Sequence, residues 1–253
     1  MNHCFLVTSS IEVDAALPFK DQYQRTVFYS SERLRQTIAT VTNLNVLDPK
    51  ADIIIIDNSE TRFEDLARLK KVQYLQLKDL DPTAAAESRT HFSQAYCESI
   101  MILALLKSRR LDAYDFITKV DGRYLMNSTF NKKMFTKENT NKFFFKYPVL
   151  YSYENLHDSF KAVTPVDLTF TGTLGMFSSH AFAVGREKLN LLELYMTLIR
   201  DNTANKSSKY WWVDIEFFLY FYSRIFDLLK DVIMVDWELI GWNNRISGAF
   251  EVF

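Results

Sequence analysis

An α/β fold built on a mostly parallel central sheet flanked by helices is predicted by three observations. The run Ile53-Ile54-Ile55-Ile56 has no polar alternation, which suits a strand covered on both faces. Short apolar runs at 3–8, 52–57, 72–77 and 115–120 alternate with helical patterns, the order that right-handed crossovers between parallel strands produce. Two of these runs end in an acid, Asp57 and Asp121, and open α/β sheets collect ligands beyond the carboxyl ends of their strands.

Residues 3–8 form an apolar run that empties into Thr8-Ser9-Ser10, a first strand whose small hydroxyl residues let a ligand come close. Residues 11–29 read as a polar loop. Ser30-Ser31-Glu32-Arg33 then opens an amphipathic helix whose buried stripe is Leu34, Ile38 and Val41, leaving Arg33 and Gln36 off it. After the isoleucine strand, Asn58 or Ser59 is a candidate N-cap for a helix over 60–70; alternatively Asp57 faces a ligand. A long helix over 84–110 leads to the strand at 115–120.

Beyond Tyr124 the character changes. Aromatic-rich strands are expected at 142–151 and 168–173, with Gly172 and Gly175 bracketing a tight path, and another at 182–184. A helix over 187–200 turns Leu189, Leu192 and Met196 inward. Residues 201–209 read as a polar loop, 211–229 as a second long helix and 232–235 as a closing strand. The glycine-bounded stretch 241–248 could fold over a ligand or form a loose end.

A chain of 253 residues, 48% hydrophobic, is long enough for a sizeable core, and six glycines and five prolines leave no linker-rich segment. The net charge of -1 does not call for nucleic acid. Cys4 and Cys97 lack the close spacing of a zinc site and read as buried thiols in a reducing compartment. No secretory signal is apparent, so a cytoplasmic location is expected. Asp214, Glu216, Arg224 and Asp227 interrupt the apolar stretch 211–229 and disqualify it as a transmembrane helix. His3, His91, His157 and His180 are scattered without a motif. There is no Gly-x-x-x-x-Gly-Lys-Ser/Thr loop and no Gly-x-Gly-x-x-Gly turn, which argues against a P-loop nucleotidase and a dinucleotide dehydrogenase.

The chain is organised around Lys119-Val120-Asp121-Gly122-Arg123-Tyr124, where a buried strand delivers an acid, a turn-permitting glycine and a guanidinium. An ordinary Asp-Gly turn is the plain alternative. Together with Val7-Thr8-Ser9-Ser10, residues 32–38 and Ile56-Asp57-Asn58-Ser59, and in this order, the stretch resembles nucleotide-sugar-dependent glycosyltransferases of the GT-A fold. The bacterial enzymes that build capsule and lipopolysaccharide are the nearest in kind. The resemblance covers roughly the first half of the chain.

The resemblance implies a single GT-A domain, Rossmann-like, with a nucleotide-sugar-binding half at 1–125 and a mixed, acceptor-binding and catalytic half at 126–253. Donor contacts would come from Thr8, Ser9, Arg33, Asp57, Asn58, Lys119, Asp121 and Arg123. In the family, an Asp-any-Asp motif holds a divalent cation, Mn2+ or Mg2+, on the diphosphate. Here Arg123 stands where the second acid would be, so either Asp121 holds a metal with oxygens from elsewhere, or Lys119 or Arg123 replaces the cation. The resemblance also implies a glycan or lipid-linked glycan acceptor and peripheral contact with the inner membrane face.

An inverting transfer needs a base for the acceptor hydroxyl, for which Glu216 is the first choice and Asp214 the second. Two residues apart on a helix point about 200° from one another, so only one of the pair can face a cleft. Trp211, Trp212 and Trp242 are candidate acceptor-stacking surfaces, although tryptophans entering an aromatic helix are more often core. A sugar-phosphate nucleotidyltransferase and a non-catalytic nucleotide- or glycan-binding module are the competing classes.

Overall fold

The structure, a computed structural model, describes residues 1–13, 28–162, 164, 166–242 and 250–252, without the side chains of 159, 160, 242 and 250–252. The strands are β1 (His3–Ser9), β2 (Asp52–Asp57), β3 (Val72–Gln76), β4 (Phe116–Asp121), β5 (Tyr124–Met126), β6 (Phe143–Lys146), β7 (Val149–Ser152), β8 (Thr173–Met176), β9 (Ala181–Gly185), β10 (Val232–Val235), β11 (Leu239–Trp242) and β12 (Phe250–Val252). A seven-stranded sheet runs in the order β10-β6-β9-β4-β1-β2-β3. Its pairings are parallel except those of β9, which runs against both β4 and β6. The mostly parallel α/β architecture is therefore present, with its mixed region in the second half.

The helices are α1 (Ser30–Leu47), α2 (Glu64–Ala67), α3 (Leu77–Leu80), α4 (Pro82–Thr90), α5 (Gln94–Lys107), α6 (Asp158–Lys161), α7 (Leu189–Thr203) and α8 (Ile215–Ile225). The isoleucine run divides between two cores. Ile54 and Ile56 pack with α5, α7 and α8, while Ile53 and Ile55 pack with Val41 and Leu44 of α1. Strands without alternation are buried on both sides for this reason.

Several boundaries differ from expectation. The helix expected over 84–110 is two helices. Asp81 caps α4, accepting from Ala84 N–H at 2.9 Å with Pro82 behind it, and Ser93 caps α5, accepting from Tyr96 N–H at 3.3 Å. Neither Asn58 nor Ser59 caps a helix over 60–70; α2 is four residues long and starts after Phe63. The strand expected over 142–151 breaks between β6 and β7, at Pro148, which has no N–H to pair. The stretch 168–173 becomes a turn, with Thr171 and Gly172 at φ of 52° and 75°, before β8. The expected stripe of α1 is also displaced. Arg33, Gln36, Thr37 and Thr40 are buried beside Val41 and Leu44, because this helix turns a polar face toward the strand ends. Helix α7 extends to Thr203, into the expected polar loop.

The helix expected over 211–229 starts only at Ile215, with Asp214 at its N-cap. Asp214 therefore does not share a helical wheel with Glu216, and the 200° separation does not apply to the pair. Residues 243–248 of the expected covering loop lie outside the described residues.

Candidate active site

The carboxyl ends of β1, β2 and β4 open onto a cleft of about 350 Å³. Thr8, Ser9, Arg33, Asn58, Asp121 and Arg123, all expected donor contacts, line it. Asp57 and Lys119 do not.

Asp57 is 0% exposed and turns its carboxylate back into the fold, accepting from Ile11 N–H (3.1 Å), Ser59 N–H (3.3 Å) and Tyr74 O–H (3.0 Å). Burial pushes its carboxyl above the ordinary range, against those bonds. Its effect on the cleft is indirect, since it ties the loop after β1 to the end of β2. Asn58 takes the cleft position instead. Its Nδ2 donates to Ser88 Oγ at 2.8 Å, and its buried Oδ1 has no partner among the described residues.

Lys119 is fully buried beneath Asp121 and forms ion pairs with both Asp121 and Glu98 of α5. Its Nζ also donates to Ser179 C=O at 2.6 Å. Burial opposes a charge on each group. For Lys119 the two carboxylates outweigh it and hold the ammonium charged, and for Asp121 the ammonium and His180 hold the carboxyl far below its usual value. Glu98 is left the weaker acid of the pair. Burial lifts it to about 7, Lys119 opposing and Asp121 reinforcing the rise.

The rest of Asp121 is equally occupied. Thr8 Oγ1 donates to its Oδ1 at 3.1 Å, and His180 Nδ1 lies 2.9 Å from Oδ2. The His180 ring stacks on Tyr124 with centroids 4.3 Å apart. Gly241 of β11 makes room for that tyrosine, since a Cβ there would sit 2.3 Å from its ring. Gly122 works by space and not by a left-handed turn. Its φ is not positive, and an added Cβ would meet Thr37 Oγ1 at 3.1 Å and Thr8 C=O at 3.3 Å, so glycine lets α1 approach the strand ends.

Arg33 is 7% exposed and fixed by its Nε, which donates to Ser10 C=O at 2.7 Å. Burial and the nearby Arg123 guanidinium depress it to about 9, against Asp57.

Glu216 lies in the first turn of α8, and its Oε1 accepts from Ser179 Oγ at 2.5 Å. Burial and Asp214 raise its carboxyl, against His180 and Ser179. Ser179 thus joins Glu216 to Lys119, although neither Glu216 nor Asp214 is among the cleft-lining residues. Trp211 and Trp212 precede α8. Trp211 meets Phe92 edge-on at 5.3 Å and Trp212 packs partly buried against the core; neither lines the cleft. The Trp242 side chain lies outside the described residues.

Glu98, His180 and Ser179 escaped the sequence. Glu98 had a signal, being a lone acid within the apolar helix Gln94–Lys107. His180 had none, because only the antiparallel pairing of β4 with β9 brings it to Asp121.

No protein-family model and no curated sequence matches the chain. Solved structures do. Mouse xyloside xylosyltransferase 1 superposes with a TM-score of 0.51 over 93% of this chain and 85% of its own, at 11% identity. The chain has the GT-A glycosyltransferase fold. The galactosyltransferase LgtC (TM-score 0.49, 10% identity, 87% of this chain and 70% of its own) and GlyE of Streptococcus pneumoniae TIGR4 (0.49, 9%, 93% and 45%) are also similar.

A GT-A site that holds a divalent cation needs several hard oxygen ligands. The residues here do not fit one. Both oxygens of Asp121 are taken by Thr8, Lys119 and His180, and the residue two positions on is Arg123. Among the described residues no three His, Cys, Asp or Glu side chains are grouped to hold a metal. On Asp121, the residue expected to hold a metal, the ammonium of Lys119 already sits on the carboxylate.

Proposed function

We propose that the chain transfers a sugar from a nucleotide-activated donor to a hydroxyl of a glycan or glycolipid, in the assembly of a surface polysaccharide such as capsule or lipopolysaccharide. The observation that carries this reading is the cleft itself, in which Arg33, Arg123, Asn58 and Asp121 meet at the carboxyl edge of β1, β2 and β4. The similarity in fold to a xylosyltransferase supports it.

In this reading residues 1–125 hold the donor and 126–253 receive the acceptor. The acceptor oxygen attacks the anomeric carbon as the bond to the diphosphate breaks, and the nucleoside diphosphate leaves with the electron pair. Attack from the face opposite the departing diphosphate inverts the anomeric centre, and Glu216, with Asp214 as second choice, takes the hydroxyl proton. The raised carboxyl of Glu216 and its link through Ser179 to Lys119 support that role. Trp211 and Trp212, which precede α8 outside the donor cleft, supply the acceptor surface in this reading, and the Trp242 side chain lies outside the described residues. A cytoplasmic enzyme working on a lipid-linked acceptor would meet it at the inner membrane face; no helix among the described residues is long and apolar enough to cross a membrane.

The test is a panel of nucleotide sugars. At least one should bind and be slowly hydrolysed, and Asp121→Asn should abolish the hydrolysis. Release of pyrophosphate from a nucleoside triphosphate, with no donor hydrolysed, would instead identify a nucleotidyltransferase.

A further inference from the structure

We propose that Arg123 and Arg33 form a diphosphate site that works without a divalent cation, with Lys119 as a built-in positive charge on Asp121. The inference rests on reading the cleft as a nucleotide-sugar site, and it names what takes the phosphates there.

Arg123 follows a backbone that leaves it little freedom. Gly122 N–H donates to Thr8 C=O at 2.9 Å, and Arg123 N–H to Asp121 C=O at 2.8 Å. Its guanidinium lies 5.9 Å from the centre of the Tyr124 ring, and its Nη1 is sealed from solvent with no hydrogen-bond partner among the described residues. A buried guanidinium N–H without an acceptor is costly, and proteins keep such a donor where a ligand supplies the acceptor.

Arg33 reaches the same cleft from α1, held by its bond to Ser10 C=O. The Arg123 guanidinium is near enough to disfavour the charge on Arg33. Of the acids that line the cleft, Asp121 and Glu98 are paired with Lys119, Glu60 with Arg89, and Glu12 accepts from Thr61. Asp57 is turned away into its own bonds. Arg33 and Arg123 reach one cleft, and the Arg123 Nη1 without an acceptor among the described residues marks a place there for an anion. Planar forks of N–H donors match phosphate oxygens two at a time.

Asn58 on the same cleft favours a diphosphate with a nucleoside attached over a lone phosphate. The cleft extends to Asn58, which is 4% exposed and presents an unpartnered Oδ1. An amide oxygen has no hydrogen and can only accept, and the bond from Nδ2 to Ser88 fixes which end of the amide it is, so it suits a ribose O–H or a base N–H. The phosphates then fall to Arg33 and Arg123.

The experiment is calorimetric titration of the full chain with inorganic pyrophosphate, UDP and GDP, in EDTA and again in MnCl2. Pyrophosphate and at least one of the nucleotides should bind in EDTA with affinity unchanged by manganese. Arg123→Gln should weaken both about tenfold or more, as expected for a charge-assisted pair, with Arg123→Lys intermediate. Melting curves of the variants separate this loss from misfolding. Binding that appears only with manganese, or that Arg123→Gln leaves unchanged, overturns the inference while the transferase reading stands. Pyrophosphate bound in EDTA, with no nucleotide or nucleotide sugar bound under any condition, keeps the anion site and removes the transferase reading. No binding of any probe overturns both.

Discussion

His180 Nδ1 lies 2.9 Å from Asp121 Oδ2, across the antiparallel seam between β4 and β9 and 59 residues away in the chain. The contact fixes the carboxylate from the side opposite Thr8, so His180 positions Asp121 without lining the cleft. His180→Ala should lower kcat/KM for donor hydrolysis about tenfold, the worth of one hydrogen bond to a charged group. His180→Asn keeps a donor and should recover part of the loss; equal damage by both variants would show that only the ring's packing matters.

Lys119 holds two carboxylates in a buried place, and removing one partner of such a cluster leaves charge uncompensated. Lys119→Met should destabilise the fold by about 3–5 kcal/mol in denaturant titrations. Adding Glu98→Gln removes one of the stranded charges and should return part of that stability. A double variant no better than the single would contradict the ion pairing of Lys119 with Glu98.

Two buried groups give stability opposite slopes with pH. Glu98 titrates at about 7 in the fold against an ordinary 4.5, so the native state binds its proton more tightly; the stability it confers is full below 4.5 and is lost as pH rises toward 7. His3 is pushed by burial to about 4 from 6.5, against its bond to Asp48, so its contribution is full above 6.5 and is lost as pH falls toward 4. Between these limits the two oppose one another in the wild type. Glu98→Gln should therefore gain stability relative to wild type as pH rises from 4.5 to 7, and His3→Gln should gain as pH falls from 6.5 to 4. Chemical denaturation at pH steps across this range measures both.

Glu216→Gln should leave nucleotide binding intact and lower kcat by about 10²–10⁴, the range for loss of a general base. Burial raises the carboxyl of Glu216, so kcat should climb with pH through a midpoint above the usual glutamate value. A pH profile flat through the acid range, with Glu216→Gln as active as wild type, would move the role to another group.

Two glycines separate backbone strain from crowding. Gly172 has a φ of 75° and open space around its missing Cβ, so Gly172→Ala should cost about 1 kcal/mol from the backbone alone and leave donor binding untouched. Gly241→Ala would drive a methyl into the Tyr124 ring, which stacks on His180. It should cost about 1–3 kcal/mol and also weaken the donor site. Thermal melts with nucleotide binding on the same samples distinguish the two.

Local pattern determined a good deal of this protein. Unalternated isoleucines, acids at strand ends and the order of strand and helix are properties of neighbouring residues, and they were enough for the parallel sheet and for the edge where Thr8, Ser9, Asn58, Asp121 and Arg123 gather. Polar residues were harder to read, because a carboxylate looks the same in sequence whether it faces a ligand or the fold. Only tertiary structure decided that Asp57 turns back to Ile11 and Tyr74, and that the polar side of α1 carries Arg33 to the cleft. It also decided that Asp121 is shared among Thr8, Lys119 and His180, and so is poorly suited to a metal. Those outcomes depend on strand register and on which buried charges find partners, energies set by groups many residues apart.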